Sequence, residues 1–162
     1  MRSGKAADIG PAEELVTKSP EETERVGMEL SSFITVPGVV LLRGALGTGK
    51  TTLTRGIAQG LGIIDPDSVH SPSFTLVNIY EASCRIYHVD LYRLKDERDL
   101  YLTGMDDFMG REGVTIVEWG ERLGTVPPKA IVVDIDDGGN DMRKLRINIP
   151  AKSQAKLKRM LR

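Results

Sequence analysis

This 162-residue chain has few cysteines, little net charge and no long apolar run, the features that would mark a disulfide-rich, nucleic-acid-binding or membrane-spanning protein. Its one cysteine, Cys84, cannot form an intramolecular disulfide and has no nearby Cys or His pair at metal-ligand spacing, so we expect a structural role for it. The formal net charge of −1 provides no overall field that attracts nucleic acid or an anionic membrane. No apolar run is long enough to span a bilayer, and residues 1–5 show no signal-peptide pattern. We therefore expect a cytoplasmic protein that contacts neither membrane nor DNA.

The length fits one domain, which would bury roughly two-thirds of the surface of its unfolded chain. We expect this single domain to span residues 1–162, with a peripheral N-terminus over 1–11 and a basic C-terminal helix over 151–162. That helix carries five positive charges in its last 11 residues. Two interpretations of them stay open, a solvated helix face or a surface that contacts RNA or an acidic partner.

The clearest motif is a phosphate-binding loop. Residues 44–51, GALGTGKT, fit the Walker A pattern GxxxxGK[ST], and the apolar residues 39–42 predict the buried strand that precedes such a loop. Lys50 supplies a positive charge for the outer phosphates, and the Thr51 hydroxyl can bind Mg²⁺. We expect ATP or ADP to contact Ala45, Leu46, Gly47, Thr48, Gly49, Lys50, Thr51 and Thr52. The next apolar residues recur at four-residue spacing, which predicts a helix whose N-terminus faces the phosphates.

Two carboxylates follow apolar strands directly. Asp90 comes after residues 86–89, and Glu118 comes after residues 114–117. A triphosphate site needs a carboxylate near the metal and a group that orients water, and both usually stand where strands end beside the Walker A strand. Trp119 follows Glu118, and it either stacks on a base or ribose or faces the core or a partner.

The segment 70–74, HSPSF, places one proline and two hydroxyls near the expected phosphate site. It is either a switch segment or an ordinary X-Pro turn that enters a strand. His88 and Arg93 flank Asp90. They either orient its carboxylate through a charge-assisted network or make structural ion contacts.

The order of elements predicts a three-layer α/β fold of the P-loop NTPase class with a mixed central sheet. Ser19 and Pro20 begin a helix after an edge strand at 14–17. Two hairpins are expected, one from strands 74–80 and 85–89, the other from strands 131–135 and 145–149. Because a hairpin is antiparallel, an all-parallel sheet is excluded.

These motifs, in this order, resemble the bacterial TsaE (YjeE) family of P-loop ATPases over residues 20–134. Besides Walker A, residues 71–74 (SPSF) match the family's SPTF/SPTY segment, residues 88–93 (HVDLYR) match HxDLYR, and Glu118 with Trp119 match its EW pair. The resemblance implies that Lys50 and Thr51 hold the phosphates and Mg²⁺ and that Glu118 also binds the metal. It also implies that Asp90 is a second acid needed for hydrolysis.

The same resemblance places Trp119 beside the nucleotide and Thr23 near its base. We expect Lys50, Asp90 and Ser73 to act in catalysis. Two residues depart from the family pattern: Ala45 stands where the family usually has Asp, and Ser73 where it has Thr. Ser73 keeps the hydroxyl, whereas Ala45 lacks a charge.

The resemblance implies an ATPase that requires Mg²⁺, is weak alone and is stimulated by homologues of TsaB and TsaD in threonylcarbamoyladenosine formation on tRNA. TsaD performs the carbamoyl transfer, so contact with tRNA is expected to be indirect. Two other functions remain open, a small-molecule kinase of the P-loop class and a non-catalytic nucleotide switch. A kinase usually has an Arg-bearing lid, and the sequence between Arg93 and Val114 contains no long Arg-rich insertion.

Overall fold

A computed structural model describes residues 8–162, which form one mixed sheet and the helices around it. The strands are β1 (Glu13–Thr17), β2 (Gly38–Arg43), β3 (Val77–Glu81), β4 (Arg85–Asp90), β5 (Val114–Glu118), β6 (Ile131–Gly139) and β7 (Met142–Asn148). The α-helices are α1 (Pro20–Ser31), α2 (Lys50–Gly60), α3 (Glu97–Leu102) and α4 (Gln154–Met160). Single 3₁₀ turns occur at Pro66–Ser68, Met105–Asp107, Gly120–Leu123 and Ala151–Ser153.

The sheet has the strand order β1-β7-β6-β2-β5-β4-β3. Strand β2 pairs in parallel with β5 and β6, and β5 pairs in parallel with β4. The pairs β3–β4, β6–β7 and β1–β7 are antiparallel. This arrangement confirms the predicted mixed sheet with both hairpins inside it. It also brings the carboxyl ends of β2, β4, β5 and β6 to one edge of the sheet.

The core lies on both faces of the sheet. Val40 and Leu42 face a cluster that includes residues of α1, α2 and α4, whereas Val39 and Leu41 face a second cluster with residues of α3 and the 3₁₀ turn after it. Because β2 is covered on both sides, its sequence is a continuous apolar run rather than an alternating one. The three predicted layers are therefore present.

Helix α1 supports the helix that follows the phosphate-binding loop. Its beginning is confirmed: Ser19 caps it by accepting a 3.1 Å hydrogen bond from the Glu22 N–H, and Pro20 occupies the first turn. Glycines allow close contact with α2, since a Cβ on Gly27 would lie 2.5 Å from the Leu53 carbonyl oxygen. The start of α2 is thereby fixed against α1.

Several predicted boundaries shift. Strand β3 begins at Val77 rather than residue 74, because Leu76 has a φ of 63° and the Phe74 side chain is 85% exposed. Strand β6 continues past residue 135 to Gly139, because the hairpin with β7 extends beyond the core with a register shift between Asp137 and Gly139. The C-terminal helix begins with a 3₁₀ turn rather than as a regular helix.

The first described residues lie beside the segment that leads into the C-terminal helix. Residues 1–7 of the expected peripheral N-terminus lie outside the described residues. Residues 8–11 differ from that expectation, because the Gly10 N–H donates to the Ile149 carbonyl at 2.8 Å and Ile9 forms a bridge with Pro150. In α4, Leu157 is fully buried, and Lys158 pairs at 3.7 Å with a β1 carboxylate.

Within the described part of the chain, no helix has the length and apolarity needed to cross a membrane.

Candidate nucleotide-binding site

The loop between β2 and α2 is shaped by glycines. Gly44, Gly47 and Gly49 have positive φ angles of 151°, 78° and 102°. A side chain at Gly44 would collide with the backbone of the neighbouring strand β6, at the Ile135 carbonyl oxygen. The loop therefore turns sharply off the sheet edge and leads directly into α2, whose N-terminal N–H groups and dipole favour an anion.

A pocket of about 450 Å³ opens at this loop. It is lined by Leu46, Gly47, Gly49, Lys50, Thr51, Thr52, Ser71, Ser73, Asp90, Tyr92, Arg93, Glu118 and Trp119. Most of the residues predicted from the sequence are therefore together. Of the predicted loop residues, Ala45 and Thr48 do not line it; their carbonyl oxygens accept hydrogen bonds from Lys50 and Arg143, respectively. A larger depression of about 680 Å³ beside α3 contains none of the loop residues.

Lys50 lies at the centre of this pocket with 5% of its surface exposed. Its ammonium group donates to the carbonyl oxygens of Gly44 at 2.8 Å and Ala45 at 2.7 Å. Burial lowers the pKa of Lys50, while the carboxylates of Glu118, Glu121 and Asp90 act in the opposite direction. Phosphate oxygens would stabilise this ammonium better than two carbonyl dipoles do, because they carry full negative charge.

Glu118 and Thr51 form the part of the site that fits a metal ion. The Thr51 hydroxyl donates to the Glu118 carboxylate at 2.9 Å, and His88 Nε2 lies 2.8 Å from the same carboxylate oxygen. Glu118 is 3% exposed and His88 fully buried. Hydroxyl and carboxylate oxygens suit Mg²⁺, which is often held by one or two protein ligands together with substrate phosphates. Among residues 8–162, the structure has no cluster of three His, Cys, Asp or Glu side chains that could hold a metal ion.

Asp90 is held by different groups. One carboxylate oxygen accepts a short hydrogen bond from the Ser71 hydroxyl, and the other accepts from the Tyr92 N–H at 2.8 Å. The proposed network of His88 and Arg93 around Asp90 is not what the structure has. His88 binds Glu118 instead, and the Arg93 guanidinium lies over the Phe74 ring at 4.5 Å. The Asp90 carboxylate caps the turn that follows its own strand, whereas His88 reaches across to Glu118 on the neighbouring strand β5.

The segment 70–74 reaches the pocket through both of its serines. Ser71 binds Asp90, and Ser73 lines the pocket with its N–H bonded to the Ser71 carbonyl at 2.9 Å. The start of the segment is tied to β3, where the Asn78 amide donates to the His70 carbonyl at 3.1 Å. Sequence reasoning selected Ser73 and missed Ser71. The two hydroxyls on either side of Pro72 were the available signal, and spacing alone did not distinguish them.

Trp119 lines the pocket beside Lys50. Its ring centroid is 4.4 Å from the Lys50 ammonium nitrogen and 5.0 Å from the Tyr92 ring. Thr23, the residue expected near the base, lies outside this pocket and is 1% exposed. Its hydroxyl is 2.7 Å from that of Thr17. It lines a separate small cavity of about 30 Å³ that also touches Gly49 and Thr52.

Arg143 of β7 contacts the loop from outside the pocket, and sequence reasoning missed it. Its Nε donates to the Thr48 carbonyl at 2.9 Å, and one terminal nitrogen donates to the Gly47 carbonyl at 3.4 Å. Because both acceptors are backbone atoms, no pattern of side chains in the sequence signals this contact.

The comparison with known families agrees with this geometry. The model of the family described as "Threonylcarbamoyl adenosine biosynthesis protein TsaE" matches residues 17–145. The chain belongs to the TsaE family. This confirms the resemblance drawn from the motifs, and the matched range contains the loop, both carboxylates and Arg143.

Similar proteins include curated TsaE proteins from several bacteria. The TsaE of Aquifex aeolicus is 37% identical over 135 residues, which cover 83% of this chain and 94% of that protein. The TsaE of Haemophilus influenzae is 45% identical over 100 residues, or 60% of this chain and 62% of that protein. Among solved structures, Bacillus subtilis YdiB is similar with a TM-score of 0.72 and 29% identity, covering 94% of this chain and 96% of YdiB. The three-layer fold is therefore that of a solved family relative as well.

Proposed function

We propose that this TsaE-family chain binds ATP with Mg²⁺ and hydrolyses it, as an accessory protein in the formation of N6-threonylcarbamoyladenosine on tRNA. It would act in the cytoplasm with homologues of TsaB and TsaD and would contact tRNA only indirectly. The observation that carries the proposal is the convergence of Lys50, Thr51, Asp90 and Glu118 in one pocket at the Walker A loop. The pathway is supported by the printed names of relatives, such as "tRNA threonylcarbamoyladenosine biosynthesis protein TsaE" of Bacillus subtilis.

Binding of the phosphates rests on the loop and on Lys50. The N–H groups at the start of α2 and the helix dipole attract negative charge. The Lys50 ammonium, now bonded to two loop carbonyls, is placed to exchange these for the outer phosphates. The ring of Trp119 beneath it limits where that ammonium can move.

The metal-binding pair would be Thr51 and Glu118. When bound, Mg²⁺ neutralises charge on the phosphate oxygens and on the leaving group. The chain's own contribution is to hold the Glu118 carboxylate in one orientation, through His88 Nε2 at 2.8 Å and the Thr54 hydroxyl at 3.4 Å. Because both contacts go to Oε1, we propose the other carboxylate oxygen of Glu118 for the metal.

Hydrolysis requires that a water molecule be oriented against the outer phosphate. Asp90 is the group proposed for this role, because its carboxylate is fixed by the Tyr92 N–H and the Ser71 hydroxyl and still lines the pocket. The Ser73 hydroxyl lies in the same pocket and is proposed to contact the water or the outer phosphate. A positioned general base typically contributes roughly 10²–10⁴-fold to a rate.

The partner proposal is supported by the rim of the pocket. Leu46 and Tyr92, which line the pocket, are 74% and 46% exposed, and Phe74, which packs against the pocket residue Arg93, is 85% exposed. Grouped exposed apolar side chains of this kind mark contact surfaces more often than isolated ones do. A partner seated on this rim would cover the mouth of the pocket, which fits an ATPase that is weak alone.

The test compares ATP alone, ATP with purified TsaB–TsaD and ATP with candidate metabolites, all with Mg²⁺. The proposal predicts slow phosphate release alone and faster release with the partners. Transfer of phosphate to a metabolite would identify a kinase instead. Nucleotide binding without phosphate release in any mixture would identify a non-catalytic switch. Lys50→Ala serves as the control that locates any activity in this pocket.

A further inference from the structure

We propose that Arg143 is a positioning residue for phosphate binding, which holds the loop from its outer side and strengthens two of its N–H donors. The inference rests on the proposed nucleotide binding. Its basis is the pair of hydrogen bonds from the Arg143 guanidinium to the carbonyl oxygens of Gly47 and Thr48.

The guanidinium is fixed before it reaches the loop. Arg143 stands at the start of β7 opposite Asp137, and one terminal nitrogen donates to the Met142 carbonyl at 2.8 Å and the Asn140 carbonyl at 3.2 Å. The same nitrogen lies 3.5 Å from the Asp137 carboxylate. The hairpin turn therefore holds one side of the planar group, and the other side donates to the loop.

The direction of these bonds determines where the loop N–H groups point. In a trans peptide unit the carbonyl and the N–H point in opposite directions. Binding the Gly47 carbonyl therefore orients the Thr48 N–H, and binding the Thr48 carbonyl orients the Gly49 N–H, in both cases away from Arg143. The φ angles of Gly47 and Gly49 are only weakly restricted, since glycine populates positive and negative values about equally. The hydrogen bonds from Arg143 therefore restrict the backbone rotation that the loop glycines would otherwise allow.

Charge adds to this geometric effect. A hydrogen bond from a cation polarises the accepting peptide group, and linked hydrogen bonds strengthen one another. The N–H groups of Thr48 and Gly49 become better donors to phosphate oxygens as a result. Arg143 does this without lining the main pocket, so it need not touch phosphate to raise affinity for it.

Arg143 could also raise nucleotide affinity by direct contact, and the test distinguishes this from an effect through the loop. Arg143 also lines the small cavity that touches Thr23 and Thr52, so a direct contact with the nucleoside part of the nucleotide is the competing explanation. Pyrophosphate and ADP distinguish the two, because pyrophosphate has no nucleoside. An effect through the loop weakens both ligands, whereas an effect on the nucleoside weakens ADP alone.

The experiment measures binding of ADP and of pyrophosphate, each with Mg²⁺, by calorimetry. Arg143→Gln is compared with Arg146→Gln, which makes the same change of charge at an exposed position on the other face of β7. We expect Arg143→Gln to weaken both ligands roughly ten-fold, the effect of losing one charge-assisted contact. Arg146→Gln should bind both as the wild type does. Thermal unfolding without ligand shows whether each variant is folded.

Arg143→Lys is the second variant, and it decides the matter if Arg143→Gln does not fold. Its ammonium keeps the charge but lacks the planar fork that reaches two carbonyls, so we expect about three-fold weaker pyrophosphate binding. Unchanged pyrophosphate binding in the folded Arg143 variants, with or without a loss of ADP affinity, would overturn the inference alone. A wild-type protein that binds neither ligand would overturn the proposed function and this inference with it.

Discussion

Asp90 and Glu118 stand side by side as register partners at the carboxyl ends of the parallel strands β4 and β5. They are nevertheless held by separate groups. Asp90 accepts hydrogen bonds from Ser71 and the Tyr92 N–H, whereas Glu118 accepts from Thr51. One carboxylate is therefore coupled to the segment 70–74 and the other to the helix behind the phosphate-binding loop. Different environments of this kind allow two neighbouring acids to take different roles.

The first prediction separates phosphate binding from metal binding. Lys50→Ala should weaken ADP roughly ten-fold or more, because it removes the charge that faces the outer phosphates. Glu118→Gln should retain most of the ADP affinity and mainly reduce Mg²⁺-dependent turnover. Titration with a fluorescent ADP analogue measures the first effect, and phosphate release measures the second. Equal losses of ADP affinity in the two variants would remove the metal-ligand role of Glu118.

The second prediction concerns Asp90 and its partner Ser71. Asp90→Asn and Ser71→Ala should lower partner-stimulated turnover while ADP affinity changes little, because both act on the orientation of the water rather than on the bound nucleotide. We expect a reduction of roughly 10²-fold for Asp90→Asn and a smaller one for Ser71→Ala. Steady-state assays over a range of ATP concentrations measure this as a fall in kcat. A fall in ADP affinity of the same size would assign both residues to binding.

The third prediction tests Ser73, the hydroxyl selected from the sequence. Ser73→Ala should lower turnover roughly ten-fold to a thousand-fold if its hydroxyl stabilises the transition state, with little change in ADP affinity. Ser73→Thr retains the hydroxyl and should remain active, which makes it the matched control. Normal turnover of Ser73→Ala with TsaB–TsaD present would reduce its role to that of a structural turn beside Pro72.

The fourth prediction concerns the contact between α1 and α2. Gly56→Ala should destabilise the protein by about 2 kcal/mol or more, because the added methyl would collide with the Glu24 carbonyl oxygen. The same exchange in an open helix stabilises it by about 1 kcal/mol, so the sign itself is diagnostic. Urea unfolding measures the change, with Gln59→Ala as a half-exposed control on α2. A more stable Gly56→Ala protein would contradict the close packing.

The fifth prediction is a pH dependence. Burial raises the pKa of the Cys84 thiol, so at a given pH the native protein contains less thiolate than the unfolded chain. Thiol-reagent modification between pH 7 and 9 should be slower in the native protein and should accelerate with pH. Since the unfolded chain ionises first, this group's contribution to stability declines as the pH rises above the thiol pKa of the unfolded chain. Faster modification of the native protein would contradict the raised pKa of this half-buried thiol.

Much of the fold was predictable because its signals are local. Ser19 and Pro20 begin α1 as expected, and the apolar run before the loop forms the central strand β2. The strand ends at Asp90 and Glu118 also lie where the pattern places them. In each case neighbouring residues determine the structure, and no distant contact overrides them.

The rest depends on contacts between distant parts of the chain. The choice of Glu118 rather than Asp90 as the partner of His88 follows from how β4 and β5 pair, and sequence spacing does not contain that information. Arg143 acts on backbone carbonyls 95 and 96 positions away, which leaves no complementary side chain to find. Thr23 was placed near the base by resemblance alone; its hydroxyl lies 2.7 Å from that of Thr17, and its contact with a nucleotide stays a prediction.

Partner-stimulated ATP hydrolysis is tested most directly by phosphate release from ATP with Mg²⁺, followed as purified TsaB–TsaD is titrated into this protein. We expect turnover to rise with partner concentration and to saturate, and Lys50→Ala to stay at the background level throughout. No ATP turnover at any partner concentration, in a mixture where the complex demonstrably forms, would contradict it. So would a Lys50→Ala protein as active as the wild type.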